Sequence, residues 1–188
     1  MSFIEGAIME DKRSVKTKRV IKEAFFSLLK EKPLNKITVA ELSRLADLGR
    51  GTFYLHYHDV YDLYEQIEKD LFYNLDQFFN LSDPYCNPEN FINLVDTVTK
   101  YISANKELFL LLFCPSESRS NLQKLKNFFI EKFLTQEDTP AMSEFSFTEI
   151  LFAVSGSIGI LEQWLNDDLR MPAEEIATML HQILSKFL

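Results

Sequence analysis

The side chains with the most obvious binding chemistry lie in one stretch, ITVAELSRLADLGRGTFYLHYHD, which covers residues 37–59. Its second half places Arg50, Thr52 and Tyr54 close together, beside Gly51. Guanidinium and hydroxyl groups donate hydrogen bonds to phosphate oxygens and to base edges, and glycine allows close approach of the backbone to another molecule. So many donors with so few apolar positions indicate a binding surface, because burial in a core would not require them.

Two short helices are predicted to hold these side chains. Thr38 and Glu41 have the capping-box spacing, in which each side chain accepts a hydrogen bond from the other residue's backbone N–H, so a helix should begin near Thr38. The apolar side of this helix is predicted to consist of Leu42, Leu45 and Ala46. Asp47 follows, and aspartate tolerates the left-handed backbone geometry of a turn. A second helix over residues 50–57 completes a helix-turn-helix pattern.

This stretch resembles the DNA-binding segment of the TetR (tetracycline-repressor) family of bacterial transcription regulators, whose signature includes the sequence around GTFYLHY. The resemblance covers about Val15 to Gln66, and the remaining chain is similar in architecture alone. It implies binding to double-stranded operator DNA, with the second helix in the major groove. The implied contacts to the phosphate backbone come from Thr38, His56 and Tyr57. The implied contacts to bases or to the groove floor come from Arg50, Gly51, Thr52 and Tyr54.

Four positions depart from the family pattern. Family members often carry lysine where this chain has His58 and Val60, and the second of these lysines normally anchors the next helix to a phosphate. Valine cannot make that contact, and neutral histidine is a poor substitute for lysine near pH 7. We therefore expect weaker or differently distributed backbone contacts. Ser43 and Asp47 replace the usual small residue and turn glycine of the motif, and both replacements are tolerable.

The distribution of charge favours contact with DNA through the N-terminal end. The chain has 188 residues and a formal net charge of −8. Residues 1–60 contain 11 Lys+Arg and 8 Asp+Glu, which gives +3, and residues 61–188 contain 9 and 20, which gives −11. The basic cluster before and along the first predicted helix consists of Lys12, Arg13, Lys16, Lys18, Arg19 and Lys22. This cluster suits phosphates, whereas the acidic remainder should repel them.

The whole chain is predicted to be all-α, because glycine (5) and proline (6) are scarce and apolar residues recur at helical spacing. We predict an N-terminal three-helix helix-turn-helix module within residues 1–58 and a larger helical ligand-binding and dimerisation domain within residues 59–188. Asp59 should cap the long helix that opens the second domain. The family resemblance implies that a change in the tilt of this helix moves the DNA-binding module.

The last two predicted helices are expected to form a homodimer interface. Residues 145–165 are the most apolar long segment and contain helix-interior glycines, which cost about 1 kcal/mol each relative to alanine, so close approach of another helix is their expected reason. The family dimerises in this way, as a four-helix bundle that presents two modules to a palindromic operator. The residues assigned to this interface are Phe152, Gly156, Gly159, Leu180, Ile183 and Leu184. The alternative is that these helices only close the core of one chain.

Large aromatic side chains are abundant in the middle helices, where most should fill the core. The resemblance implies that some line a cavity for an unknown small-molecule effector, apolar or aromatic, which lowers DNA affinity by binding one conformation better than another. The residues assigned to this lining are Tyr101, Phe109, Phe113, Phe129 and Trp164. The segment GILEQWLNDDLRMPAEEIATML is also similar to a TetR subgroup, some of whose members regulate dihydroxyacetone kinase genes, sometimes as activators.

The sequence has no pattern typical of an enzyme, and no metal or cofactor is expected. His56 and His58 do not share a helix face, and Cys86 and Cys114 lack ligand or redox spacing. Nucleophile and phosphate-loop motifs are missing. The apolar run over residues 108–113 is far shorter than the about 20 residues of a membrane span, and the N-terminus has no signal-peptide pattern, so a cytoplasmic protein without a membrane partner is expected.

The function predicted from the sequence is therefore a ligand-responsive repressor. One alternative is an activator-type or protein-interacting family member with weak DNA affinity. A helical-bundle enzyme is the other alternative, and a bound metal or cofactor would be its sign.

Overall fold

The computed structural model describes residues 12–84, 88–113, 119–135 and 144–186, and the regular elements in these ranges are all helical. The α-helices are α1 (Lys12–Glu31), α2 (Val39–Leu45), α3 (Arg50–Tyr54), α4 (Val60–Ser82), α5 (Pro88–Ala104), α6 (Lys106–Phe113), α7 (Arg119–Leu134), α8 (Glu144–Asn166) and α9 (Ala173–Leu184). A short 3₁₀ helix, Leu34–Lys36, precedes α2. The predicted all-α fold is confirmed. Cys86 and Cys114 lie outside the described residues.

The chain divides into two compact units between Glu68 and Lys69, which is within α4. We call residues up to Glu68 the N-terminal unit and residues from Lys69 the C-terminal unit. The sequence places a domain boundary earlier, at the start of α4. Because α4 is one continuous helix, its first turns belong to the N-terminal unit and its remainder to the C-terminal unit.

The N-terminal unit has a small core formed by α1, α2 and α3. Ile21 and Phe25 of α1 are completely buried, as are Leu42 of α2 and Phe53 of α3. Leu45 was predicted to lie on the apolar side of α2, and this is wrong, because its side chain is 52% exposed. The buried face of α2 runs through Leu42, Ser43 and Ala46 instead. At about 100° per residue, that face is turned away from Leu45.

The turn after α2 has the geometry that the sequence predicts. Asp47 has a positive φ of 52°. The Leu48 N–H donates to the Ser43 carbonyl (2.9 Å) and the Asp47 N–H donates to the Arg44 carbonyl (3.3 Å). These two bonds form a Schellman motif, which satisfies carbonyl groups that the end of the helix leaves free. The left-handed conformation expected at Asp47 is confirmed.

The helix α3 is shorter than predicted, since it ends at Tyr54. The chain then makes a turn in which the Tyr57 N–H donates to the Phe53 carbonyl (3.0 Å), so Phe53 and Tyr57 remain on the same side. Asp59 caps α4, because its Oδ1 accepts a hydrogen bond from the Asp62 N–H (2.8 Å). That predicted cap is confirmed, and it fixes where the turn after α3 must end.

In the C-terminal unit, α5 packs on α9, α7 packs on α8, and α6 contacts both α7 and α8. The core residues that these helices share are Leu94, Val98, Ile102, Phe109, Leu112, Phe113, Leu125, Val154, Ile158, Leu165, Ile176 and Leu180. Asn105 separates α5 from α6 and donates through Nδ2 to the Tyr101 carbonyl (2.9 Å). The C-terminal unit is thus a helical bundle whose buried residues are almost wholly apolar.

Candidate nucleic-acid interface

The start of α2 is held by a network of three side chains. The Glu41 N–H donates to Thr38 Oγ1 (3.3 Å), and the Thr38 N–H donates to Glu41 Oε2 (3.2 Å), so the predicted capping box is confirmed. Lys32 Nζ lies 2.6 Å from Glu41 Oε1. The hydrogen bonds from Lys32 and then from Thr38 lower the pKa of the Glu41 carboxyl from 4.5 to about 2. Thr38 therefore has a structural role at an exposed position.

The helix α3 has a buried side and an outward face. Phe53 (0% exposed) and Tyr57 (2%) lie on the buried side, with ring centroids 5.7 Å apart. The outward face of α3, on the opposite side of the helix, consists of Gly51, Thr52 and Leu55. Leu55 is 81% exposed, and a Cβ added at Gly51 would meet no atom within 4 Å. This face is therefore open to close approach by another molecule.

The remaining residues predicted to contact DNA flank this face. Arg50 is exposed at the first position of α3, and Tyr54 is 56% exposed with its ring edge-to-face against Phe53. His56 is half-buried, and Tyr57 is almost completely buried. Of the seven predicted residues, Arg50, Gly51 and Tyr54 are thus the most accessible in α3.

Leu55 is a surface residue that the sequence analysis missed. Its position follows Gly51 by one helical turn, so the 3.6-residue period places the two on the same side of α3. A signal was present in the sequence, because Leu55 is two residues from both Phe53 and Tyr57, and aromatic side chains four residues apart favour one buried side opposite Leu55. The predicted binding surface was defined by side chains that donate hydrogen bonds, and leucine is not one of them.

Val60 and His58, where the family often carries lysine, have different environments here. Val60 is 4% exposed and belongs to the core, whereas His58 is exposed. The His58 N–H donates to Asp62 Oδ2 (2.8 Å), so its backbone helps to hold the start of α4. A lysine at position 60 would have to bury its ammonium group or distort the helix start.

The basic cluster of the sequence lies on α1. Lys12, Arg13, Lys16 and Arg19 are exposed, and Lys18 and Lys22 are half-buried. Arg19 forms an ion pair with Glu23, with Nη1 and Oε1 3.0 Å apart. Exposed pairs of this kind are weak, so Arg19 can exchange its partner for a phosphate at small cost.

A small apolar cavity lies within the C-terminal unit, between α4, α5, α6, α7 and α8. It encloses about 30 Å³, which is room for a water molecule but far less than the ~300 Å³ of a typical ligand pocket. The cavity is lined by Leu75, Val98, Ile102, Phe109, Phe113, Leu122, Leu125, Phe129, Ile158, Leu161, Glu162 and Leu165. Phe109, Phe113 and Phe129 are among the predicted lining residues, and Tyr101 and Trp164 are not part of this wall.

Tyr101 connects the cavity wall to α4. Its hydroxyl oxygen accepts a hydrogen bond from Asn74 Nδ2 (3.0 Å). Its ring packs edge-to-face against Phe78 of α4 (5.0 Å) and against Phe109 of α6 (5.7 Å). Burial raises the pKa of the Tyr101 hydroxyl, so this group remains a neutral hydrogen-bonding partner at physiological pH. Tyr101 therefore contacts both Phe109 of α6 and two residues of α4.

Trp164 has a structural role at the end of α8. Its ring is 4% exposed, and Nε1 donates to the Met171 carbonyl (2.8 Å). Asp168 and Leu169 form the turn there with positive φ values of 60° and 53°. Lys106 of α6 forms an ion pair with Asp168 (2.6 Å) and lowers the pKa of the Asp168 carboxyl. Trp164 and Lys106 together hold the connection between α8 and α9.

The residues assigned to a dimer interface separate into two groups. Leu180 (1% exposed) and Leu184 (3%) are packed by the chain itself and leave no surface for a partner. Phe152 is 56% exposed and Ile183 is 38% exposed. Gly156 and Gly159 are also exposed, and a Cβ added at either would meet no atom within 4 Å. We call Phe152, Gly156 and Gly159 the outward face of α8.

No group of three or more histidine, cysteine, aspartate and glutamate side chains in the described ranges could hold a metal ion. None of the described helices is both long enough and apolar enough to cross a membrane.

The exposed helix-turn-helix and the helical bundle define the general class of an all-helical DNA-binding regulator. A family model described as the transcriptional regulator C-terminal region of TetR proteins matches residues 89–186. The chain therefore belongs to the TetR family of transcriptional regulators.

Individual relatives agree with this assignment. The chain is 23% identical over 177 residues to the uncharacterized HTH-type transcriptional regulator YxbF of Bacillus subtilis, and this match covers 88% of the chain but 44% of YxbF. The TetR regulator of Streptococcus agalactiae has 26% identity and a TM-score of 0.59, covering 95% of this chain and 99% of that one. NalD, the secondary repressor of the MexAB-OprM multidrug efflux pump in Pseudomonas aeruginosa, has 18% identity and a TM-score of 0.68, covering 93% and 97%. The NalD match supports the fold alone.

Proposed function

We propose that the chain is a homodimeric, effector-responsive repressor that binds a palindromic operator. Its proposed location is the cytoplasm, where bacterial DNA lies. The observation that carries this proposal is the composition of α3, where accessible donor side chains surround an open backbone at Gly51. Burial gives Arg50 and Tyr54 no role in the core, so a partner outside the chain is the reason for their exposure. Transcriptional regulation by the family supports this direction.

Binding to duplex DNA is supported by the chemistry and the charge of the N-terminal unit. Arg50 can donate two hydrogen bonds to a guanine edge or to a phosphate, and the Thr52 and Tyr54 hydroxyl groups can bind phosphates or bases. The lysine and arginine side chains of α1 add positive charge. Thr38, His56 and Tyr57 are also proposed to contact phosphates. We expect them to make fewer such contacts than the α3 side chains, because Thr38 takes part in the capping box and the other two are partly or almost completely buried.

Homodimer formation is supported by the outward face of α8. Phe152 exposes an aromatic ring to water, and two glycines beside it weaken the helix without relieving any clash within the chain. Both features are explained if the same face of a second copy packs there, because glycine allows two helices to approach closely. Ile183 and Met179, which are 38% and 45% exposed on α9, would extend this contact. Two-fold symmetry in the protein requires a palindromic operator.

Effector response is proposed to act through the residues around the cavity and through Tyr101. The cavity is too small for a ligand of ordinary size, so a ligand that binds there must displace part of the wall, for example the Phe109 and Phe113 rings, which are stacked 5.6 Å apart. Displacement of Phe109 would act on Tyr101 and, through Asn74 and Phe78, on α4. An effector that binds the displaced arrangement more tightly would shift the population of DNA-binding conformations.

Selection of bound fragments from random double-stranded DNA by the full chain tests the proposal. We expect an inverted repeat to be enriched, a particle of twice the chain mass in light scattering, and an affinity that falls steeply with salt. Transcription in vitro from a promoter that contains the selected site should decrease when the protein is added. An increase would support the activator alternative, and a failure to enrich any sequence at low salt would support the protein-interaction alternative.

A further inference from the structure

The outward face of α3 carries a large apolar side chain that the donors around it do not explain. Leu55 is 81% exposed and lies opposite the buried residues Phe53 and Tyr57. Isolated exposed leucines are common on protein surfaces, so exposure by itself carries no weight. Its position does, because Leu55 directly follows the last residue of α3 and lies on the same side as Gly51, so a molecule bound along this face would contact it.

We propose that Leu55 is a specificity-determining residue that contacts the 5-methyl group of a thymine in the major groove. This inference rests on the proposed function, since it requires α3 to bind duplex DNA. Leucine has no donor or acceptor, so phosphates, amino groups and carbonyl oxygens offer it no favourable partner. In the major groove, the thymine methyl is the one apolar group that distinguishes a base pair.

The surroundings of Leu55 suit this contact. Gly51 precedes it by one helical turn and leaves open space where another residue would place a Cβ, so the backbone of α3 can lie close to the bases. The flanking Arg50 and Thr52 carry donors that can fix the orientation of the helix against phosphates or base edges. The positive charge of residues 1–60, with 11 basic and 8 acidic side chains, complements the polyanion on which the methyl group lies. A leucine held in this way would exclude water from one methyl group at a defined position.

The test uses the full chain and a site selected from random double-stranded DNA. Each thymine of the selected site is replaced in turn by deoxyuridine, which removes only the methyl group. We expect the wild-type chain to lose about fourfold in affinity at one thymine of each half-site, the factor that corresponds to burial of a single methyl group. Leu55→Ala should bind the thymine and deoxyuridine versions of that position equally well.

Leu45→Ala is the matched control, because Leu45 is another exposed leucine of the same unit, at 52%, but lies on α2. It should retain the wild-type preference for thymine. Both variants should melt at the wild-type temperature, since neither leucine is buried. The inference is overturned if Leu55→Ala still binds the thymine version more tightly than the deoxyuridine version, including the case in which its affinity for both versions falls by the same factor. It is also overturned if removal of no thymine methyl group lowers the affinity of the wild-type chain. Failure to select any duplex is a different result, because it removes the proposed function itself.

Discussion

The outward faces of α3 and α8 are both exposed, yet their compositions differ sharply. The face of α3 has a glycine, a threonine and a leucine, with Arg50 and Tyr54 at its edges. The face of α8 has two glycines and an exposed phenylalanine, with no charged side chain among the residues that define it. Donors suit a hydrated polyanion, whereas an apolar face with glycines suits another helix. Composition therefore indicates the partner where exposure alone does not.

The two faces should also respond in opposite ways to salt. Contacts between basic side chains and phosphates release counterions, so they weaken as salt increases. Apolar helix contacts are insensitive to moderate salt and are strengthened by sulfate. A dimer that persists in high salt while DNA is released would show, in one experiment, that the two faces bind different kinds of partner.

Gly156→Leu should have the largest effect and should break the proposed dimer. Within one chain a Cβ added at position 156 would meet no atom within 4 Å, and leucine has a higher helix propensity than glycine, so α8 should gain helix propensity. At a symmetric interface the new side chain is added twice, once from each chain. Overpacking costs about 1–3 kcal/mol per site, so the free energy of association should become less favourable by about 2–6 kcal/mol, which is at least about 30-fold weaker association. Sedimentation or light scattering over a range of concentrations measures this change.

Gly156→Ala is the control for this variant, because it gives at least as large a gain in helix propensity while adding only a single methyl group. A Gly156→Leu chain that dimerises as well as the wild type would place the interface elsewhere. A chain that loses its helical circular dichroism would instead show that position 156 is packed within the monomer.

Arg50→Ala should have the next largest effect, on DNA affinity alone. Loss of a bidentate contact costs about 1–3 kcal/mol, which is roughly 5- to 150-fold in affinity. Circular dichroism melting should be unchanged, because Arg50 is exposed. If Arg50 contacts a phosphate, the slope of log affinity against log salt should also decrease by about 1; if it contacts a base, the preference at one position should relax instead.

Arg170→Ala is a charge-matched control, since Arg170 belongs to the C-terminal unit and its side chain is 79% exposed. It removes the same charge and should leave DNA affinity unchanged. Equal losses in the two variants would mean that net charge, and not the position of Arg50, determines binding.

The features that the sequence predicted correctly depend on neighbouring residues. The cap at Thr38, the turn at Asp47 and the cap at Asp59 each arise from hydrogen bonds or backbone preferences within a few residues. Such features need no knowledge of what the helix packs against. These local features predicted where α2, α3 and α4 begin accurately enough to identify the helix-turn-helix.

The features that the sequence could not predict depend on how each helix is rotated about its own axis. In α2 the small Ser43 faces the core while Leu45 faces outward, although hydrophobicity predicts the reverse. In α9 the apolar residues occur around much of the helix, so the pattern cannot tell that Leu180 is buried while Ile183 is exposed. These rotations are decided by tertiary packing.

Ser43→Ala should stabilise the N-terminal unit. Ser43 is 3% exposed, and its Oγ is buried without a hydrogen-bond partner among the described residues. An unsatisfied buried hydroxyl costs roughly 1 kcal/mol or more, and alanine also has the higher helix propensity. We expect the free energy of unfolding to rise by about 1 kcal/mol, which corresponds to about 2–4 °C in melting temperature. Ser27→Ala, at an exposed position of α1, is the control and should change the melting temperature less.

The network at the start of α2 gives the smallest predicted effect, and its sign depends on pH. The pKa of Glu41 is lowered in the folded chain from 4.5 to about 2, so the folded state favours the ionised carboxylate. This contribution to stability is complete above about pH 4.5 and is lost as the pH falls towards 2. Glutamine can keep the capping geometry but cannot form the ion pair with Lys32. Glu41→Gln should therefore melt at most about 3 °C below the wild type at pH 7, because half-exposed ion pairs are weak, and the difference should shrink between pH 4.5 and 3. A difference that stays constant over this range would mean that Glu41 acts through its packing and not through its charge.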